Sequence, residues 1–173
     1  YDQMTALKEA GYNAIAYDEF ERFAKGIIAL PEKSVLITFD DGRKDSYYPV
    51  DPILQAYGYH ATIFILPKYS LESGVRDYYL SKPELKKMLA SGRWSVQSHS
   101  LDAHTYYPVS ANGTPGYYYA NKLWVEDEKR LENDKEFRER ILDDLKSSKA
   151  ILESELHIKV SGIAYPFGQY GQN

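Results

Sequence analysis

The stretch Val35-Leu36-Ile37-Thr38-Phe39-Asp40-Asp41-Gly42 decides how this chain is read. An unbroken run of β-branched, aliphatic and aromatic residues describes a buried strand, and two adjacent carboxylates followed by a glycine end it. Two acids side by side at a strand terminus raise each other's pKa and call for a cation or a proton between them. Asp and Gly are also good turn formers, so the same three residues serve a plain turn equally well. The choice depends on whether nitrogen ligands stand elsewhere along the chain.

Outward from this stretch, helix and strand signals alternate. Asp2 to Ala10 carries Met4, Leu7 and Ala10 on one face and stops at Gly11, the pattern of a short helix with a glycine C-cap. Asn13 to Tyr17 reads as extended, and Asp18 as the N-cap of a helix reaching Gly26. Beyond the acidic turn, a helix from Val50 to Tyr57 closes at Gly58, and His60 to Leu66 forms a second buried strand stopped by Pro67. Ser81 and Glu84 make a capping box for a helix to Ser91, and Trp94 to Ser98 is a third strand. From Ser100 to about Asn133 there is no periodicity, only a Tyr-, Gly-, Asn- and Pro-rich segment too long for a plain connector, as functional loops are. Phe137, Ile141, Leu145, Ser148, Leu152 and Leu156 then mark a long amphipathic helix from Asp134, and Ser161 to Tyr165 a last strand. Such alternation predicts parallel strands joined by right-handed crossovers in one α/β domain. A doubly wound open sheet and a distorted (β/α) barrel both fit. The barrel is favoured because the polar clusters follow strand C-termini, and it is incomplete because a full one takes about 250 residues.

Composition sets bounds on function. The 173 residues are 43% hydrophobic and 27% charged, an ordinary globular balance, and a net charge of -4 gives no electrostatic reason to expect nucleic acid or an anionic membrane. An acidic groove would tolerate a cationic product such as an amino sugar. The absence of cysteine excludes disulfides, thiolate metal sites and a cysteine nucleophile. No apolar run approaches the roughly 18 residues of a membrane span. Seventeen tyrosines and two tryptophans, many in loops, suit sugar faces or a partner.

Nitrogen ligands stand just past the third strand, in His99-Ser100-Leu101-Asp102-Ala103-His104. Five residues apart, the imidazoles cannot share a helix face at about 100° per residue, but a loop could converge them. With one aspartate from the earlier strand they would form a two-histidine, one-carboxylate face with open positions for water and substrate. Taken alone, the pair reads as readily as two loop histidines that never meet. Asp102 could back an imidazole or serve a turn. His60 and His157 read as structural, and the charge run from Glu126 to Glu139 as a solvated helix face. Tyr106, Tyr107, Tyr117, Tyr118, Tyr119 and Trp124 occupy the long loop and are candidates for sugar stacking.

Four blocks together, Thr38-Phe39-Asp40-Asp41-Gly42, Gly58 to Ile65, the pair opening His99-Ser100, and Ala164-Tyr165-Pro166-Phe167-Gly168, resemble the polysaccharide deacetylases, the NodB-like carbohydrate esterases. The order and spacing match over roughly Ile15 to Gly168. The resemblance implies that Asp41, His99 and His104 bind one divalent ion, whether zinc, cobalt, nickel or iron. It implies that Asp40 is the general base on a water held there, and that the Phe167 backbone N–H helps hold the oxyanion. Four residues separate the imidazoles where the commonest family form has three, and Ala164 replaces an arginine that orients the base in many relatives. Both departures resemble the branch acting on poly-β-1,6-N-acetylglucosamine, outside the cell or in its envelope. Deacetylation of chitin, peptidoglycan or xylan is the alternative, and a carbohydrate-binding module that keeps the metal without turnover is another. On this resemblance residues 1–173 are one catalytic domain that stops short of a later strand carrying a general-acid histidine.

Overall fold

The first helix, α1 (Asp2–Glu9), ends where Gly11 turns the chain at φ 77, and it lays Met4 and Leu7 against the core. A computed structural model describes residues 2–72 and 77–171. The chain then enters a parallel sheet. Strand β1 (Asn13–Ala14) pairs with β2 (Ser34–Val35); β3 (Thr38–Phe39) pairs with β4 (Ala61–Ile65), and β4 with β5 (Trp94–Ser98). Each of these pairings is parallel, and a further parallel bridge joins Ser98 to Ile163. The crossovers carry α2 (Tyr17–Ala24), α3 (Asp51–Tyr57), α4 (Lys82–Ala90) and the long α5 (Asp134–Leu156). The result is a mixed α/β, incomplete barrel, as the alternation of signals predicts. All five residues of β4 are buried, which is why that strand reads as a continuous apolar run rather than an alternating one. Leu54, Ile63, Ile65, Leu85, Met88 and Leu152 are fully buried between sheet and helices.

Several boundaries differ from the sequence reading, each for a physical reason. The strand through Val35 and Phe39 divides, because β2 pairs with β1 while β3 pairs with β4 as the sheet twists. Helix α2 begins at Tyr17, with Ala16 rather than Asp18 at its N-cap. The free Ala16 N–H donates to Glu19 Oε2 at 2.9 Å, and Asp18 falls in the first turn, where a carboxylate favours the helix dipole. The reciprocal contact expected of Ser81 and Glu84 is present, with Ser81 N–H donating to Glu84 Oε2 at 2.8 Å.

The long segment after β5 is not structureless. It forms two antiparallel hairpins, β6 (Tyr106–Pro108) with β7 (Pro115–Tyr117), and β8 (Trp124–Val125) with β9 (Arg130–Leu131). Tyr and Trp supply the strand preference, and Asn112-Gly113, with Gly113 at φ 76, falls in the first connection. Half of the charge run from Glu126 therefore belongs to a hairpin rather than a helix face. Arg130 grips Glu136 with two bonds of 2.7 Å, and Arg140 holds Glu132 while donating to the Tyr118 and Asn121 carbonyls.

The last strand shrinks to the single bridge at Ile163 because a side chain takes its backbone groups. Buried Gln97 accepts from the Ser161 and Gly162 N–H groups at 2.9 and 3.0 Å and donates to the Lys159 carbonyl.

Candidate metal centre

The acidic turn is built by two successive left-handed residues, Asp41 at φ 71 and Gly42 at φ 76. Gly42 is required by space as well as by conformation, since a Cβ there would lie 2.9 Å from Ile65 Cγ2. Its carbonyl accepts from Leu80 N–H at 2.8 Å, which fixes the turn beside the end of β4.

His99 follows β5 directly and is 2% exposed. Its N–H donates to the Ile65 carbonyl at 2.8 Å, and its ring Nδ1 lies 2.9 Å from the Ala164 carbonyl oxygen. A carbonyl only accepts, so Nδ1 carries the proton of the neutral ring and Nε2 presents a lone pair. The chain then doubles back. Ser100 adopts φ 78; its N–H donates to Ser98 Oγ at 3.1 Å, and its Oγ accepts from Ala103 N–H at 2.9 Å. Ser98 is held from behind by the Ser148 hydroxyl at 2.6 Å. This tight loop brings the His104 ring to 5.3 Å from that of His99, a convergence that the five-residue spacing left open.

Asp41 Oδ1 lies 3.4 Å from His99 Nε2 and 3.5 Å from His104 Nε2, and ligand atoms of the three residues all fall within 4.8 Å of one another. That oxygen is buried and has no hydrogen-bond partner among the described residues. A carboxylate oxygen facing the lone pair of a ring whose proton is committed elsewhere is a donor set waiting for a cation, and the residues fit a divalent ion. Asp40, the adjacent acid, is exposed at the rim and outside the three-residue cluster.

Phe167 also reaches this rim. Its backbone is left-handed at φ 59, and its ring lies 4.3 Å from that of His104. Tyr106 stacks on it at 5.2 Å and 18°, and Tyr117 meets it at 5.4 Å, so an aromatic shelf flanks the imidazoles. Tyr106 is 57% exposed and available to a ligand. The other loop aromatics are engaged elsewhere. Tyr119 is buried against Asp144, Tyr118 lies under the Arg140 guanidinium at 4.2 Å, and Trp124 donates to Glu126. Burial pushes the Tyr107 phenol up to about 12.

Asp102 backs neither imidazole; it pairs with Lys68, just beyond β4. The partner of His99 is instead the Ala164 carbonyl, which no side-chain pattern announces. Asp144 was likewise absent from the sequence reading, although a carboxylate inside the stripe Ile141, Leu145, Ser148 was a visible signal. Burial pushes its carboxyl up, against the pull of the Tyr119 hydroxyl and the Leu101 and Asp102 peptides. His60 precedes β4, at the strand end opposite the cluster, and His157 caps α5 at φ 56.

Poly-beta-1,6-N-acetyl-D-glucosamine N-deacetylase of Escherichia coli (strain K12) is 28% identical over 97% of this chain and 27% of its own length. The enzyme of the same name from Staphylococcus aureus (strain MSSA476) is 31% identical over 80% of this chain and 41% of its own. The chain thus spans less than half of the length of either relative. Among solved structures, the BpsB deacetylase domain of Bordetella bronchiseptica superposes with a TM-score of 0.88 at 25% identity, covering 99% of this chain and 69% of that one. IcaB of Ammonifex degensii gives 0.70 at 26% identity, covering 96% and 64%. Residues 28–173 match the polysaccharide deacetylase family, and the chain belongs to it.

Proposed function

We propose that this polysaccharide deacetylase is metal-dependent and removes N-acetyl groups from extracellular poly-β-1,6-N-acetylglucosamine. Asp41, His99 and His104 would hold one divalent cation, zinc in the first instance. The observation that carries the reading is the facing of His99 Nε2 and Asp41 Oδ1, which has no hydrogen-bond partner among the described residues, across 3.4 Å, with the ring proton on the side of Ala164. When bound, such an ion acidifies a water and polarises the acetamide carbonyl.

The chain's own residues do the rest. Asp40, exposed beside the cluster, takes the proton that the water releases as its oxygen adds to the acetyl carbon. The Phe167 N–H hydrogen-bonds the oxygen on which negative charge develops. Cleavage of the C–N bond then yields acetate and an amine that must gain a proton. His60 and His157 both lie away from the rim, so none of the four histidines of this chain is placed to donate it. Tyr106 and Phe167 offer flat apolar faces to a neighbouring sugar ring.

The polymer assignment rests on the names of the E. coli and S. aureus relatives, on the four-residue separation of the imidazoles and on Ala164. Acetate release from β-1,6-linked and β-1,4-linked N-acetylglucosamine oligomers of equal length tests it, before and after chelation and zinc restoration. Faster release from the β-1,6 series, lost on chelation and regained with zinc, is expected. Faster release from the β-1,4 series overturns the polymer assignment. Zinc binding with no acetate from any oligomer leaves a carbohydrate-binding module in its place.

A further inference from the structure

Helix α5 runs behind the histidine loop, and one of its inward positions is a carboxylate where the stripe would place a hydrocarbon. Asp144 is 7% exposed, with the fully buried Ser148 and Leu152 following on the same face. Both of its oxygens lie 3.2 Å from the Leu101 nitrogen and accept from that N–H, and Oδ1 also accepts from the Tyr119 hydroxyl. The Asp102 peptide adds a further attraction. Leu101 and Asp102 lie between the two imidazoles, and Tyr119 belongs to the segment joining the two hairpins.

A buried carboxylate is costly unless hydrogen bonds surround it, and here the donors come from two otherwise separate segments. The left-handed turn at Ser100 aims the following peptide N–H groups toward the helix, and successive N–H groups in such a turn form a concave site for an anion. An ionised carboxylate accepts at both oxygens, which suits a ring of N–H and O–H donors; an amide would turn an N–H group onto one of them.

We infer that Asp144 is a positioning residue for the His99 and His104 pair. Its carboxylate fixes the loop between the imidazoles so that both Nε2 atoms stay within reach of Asp41, and through Tyr119 it ties the tyrosine-rich segment to the same point. The inference rests on the reading of Asp41, His99 and His104 as metal ligands and assigns what holds two of them in place.

The test uses the whole chain and compares Asp144→Asn with Leu152→Ala, which removes buried bulk from the same helix without touching the loop. Zinc affinity is measured by chelator competition well below the unfolding temperature. Amide exchange at Leu101 and the imidazole nitrogen shifts are read in metal-free protein. Asp144→Asn is expected to weaken zinc binding by about 10–100-fold, to speed exchange at Leu101 and to shift the imidazole signals. Leu152→Ala is expected to lower Tm while leaving all three at parent values. Should Asp144→Asn fail to fold, Tyr119→Phe, which keeps the carboxylate and removes one donor, is expected to give a smaller change in the same direction. Parent-like zinc affinity and Leu101 exchange in the folded variant, or changes no larger than those of Leu152→Ala, overturn the inference. If the parent itself binds no zinc, the metal reading falls, and exchange at Leu101 with the imidazole shifts still decides the role of Asp144.

Discussion

Replacing Gly42 by alanine tests the turn that presents Asp41. Two costs follow from the geometry. At φ 76 an L-residue pays the left-handed penalty of about 1–2 kcal/mol. The new Cβ would also lie 2.9 Å from Ile65 Cγ2 and 3.0 Å from Ile65 Cβ, while Ile65 is fully buried in a strand paired on both sides and cannot retreat. Overpacking of this kind costs about 1–3 kcal/mol. The sum is about 2–5 kcal/mol, offset by a few tenths from the stiffer unfolded chain. At about 2–4 °C per kcal/mol for a domain of this size, Tm should fall by roughly 4–20 °C. Gly58→Ala supplies the control, because Gly58 has φ 65 but no atom within 4 Å of the added Cβ. That variant carries the conformational term alone, about 1 kcal/mol. Denaturant and thermal unfolding of both metal-free variants, followed by circular dichroism, measure the difference. If Gly42→Ala is no less stable than Gly58→Ala, the close approach to Ile65 does not exist and the account of the turn is wrong.

Three further outcomes are expected. His104→Ala should lose bound zinc, whereas Asp40→Asn should retain it and lose turnover by about 10²–10⁴-fold; metal analysis beside acetate release separates a ligand from a base, and parent-level zinc in folded His104→Ala refutes the ligand set. Glu84 provides a pH signature away from the site: burial would raise its carboxyl, but the Ser81 hydroxyl and N–H, Tyr48 and Lys44 outweigh it and hold the value at about 2. Because the folded value lies below the unfolded one, this stabilisation is present above about pH 4.5 and is lost as pH falls toward 2. Glu84→Gln should therefore cost about 1–2 kcal/mol at pH 7 and flatten the acid limb of the stability curve, and an unchanged limb counts against the assignment.

What could be read from the residues was whatever local pattern dictates. Trp94 to Ser98 has the strand boundaries that its composition implies, and Asp41, His99 and His104 meet because parallel strands put their C-terminal ends on one rim. What could not be read depends on backbone acceptors and on partners distant in sequence. The Ala164 carbonyl that orients His99 belongs to a residue with no polar side chain, 65 positions away. Gln97 taking the peptides of Ser161 and Gly162, and so shortening the last strand, is equally invisible to a period-two pattern. The hairpins inside the long loop were missed because strands of two or three residues are too short for alternation to register. Asp102, which the sequence offers as an imidazole partner or a turn residue, is instead paired by the fold with Lys68, 34 positions earlier.

The conformations around the cluster are costly, and hydrogen bonds from neighbouring residues hold them. Among the described residues, six without a glycine's freedom have positive φ, and three of them, Asp41, Ser100 and Phe167, lie in or beside the Asp41, His99 and His104 cluster. At about 1–2 kcal/mol each, their combined cost of roughly 3–6 kcal/mol is comparable to the net stability of a whole domain. Such strain persists only where neighbours over-determine it. Asp41 is held between the end of β3 and a Gly42 carbonyl bonded to Leu80, Ser100 between the hydroxyl of Ser98 and the N–H of Ala103, and Phe167 in a turn closed by Gly168 N–H on Tyr165. Each left-handed residue bends the chain sharply just past a strand end, where an extended or helical residue would carry its neighbours away from the rim. The three bends are what let a carboxylate, two imidazoles and an aromatic ring, supplied by three separate loops, approach one point. Relaxing any one of them should therefore disperse the donor set before it unfolds the protein.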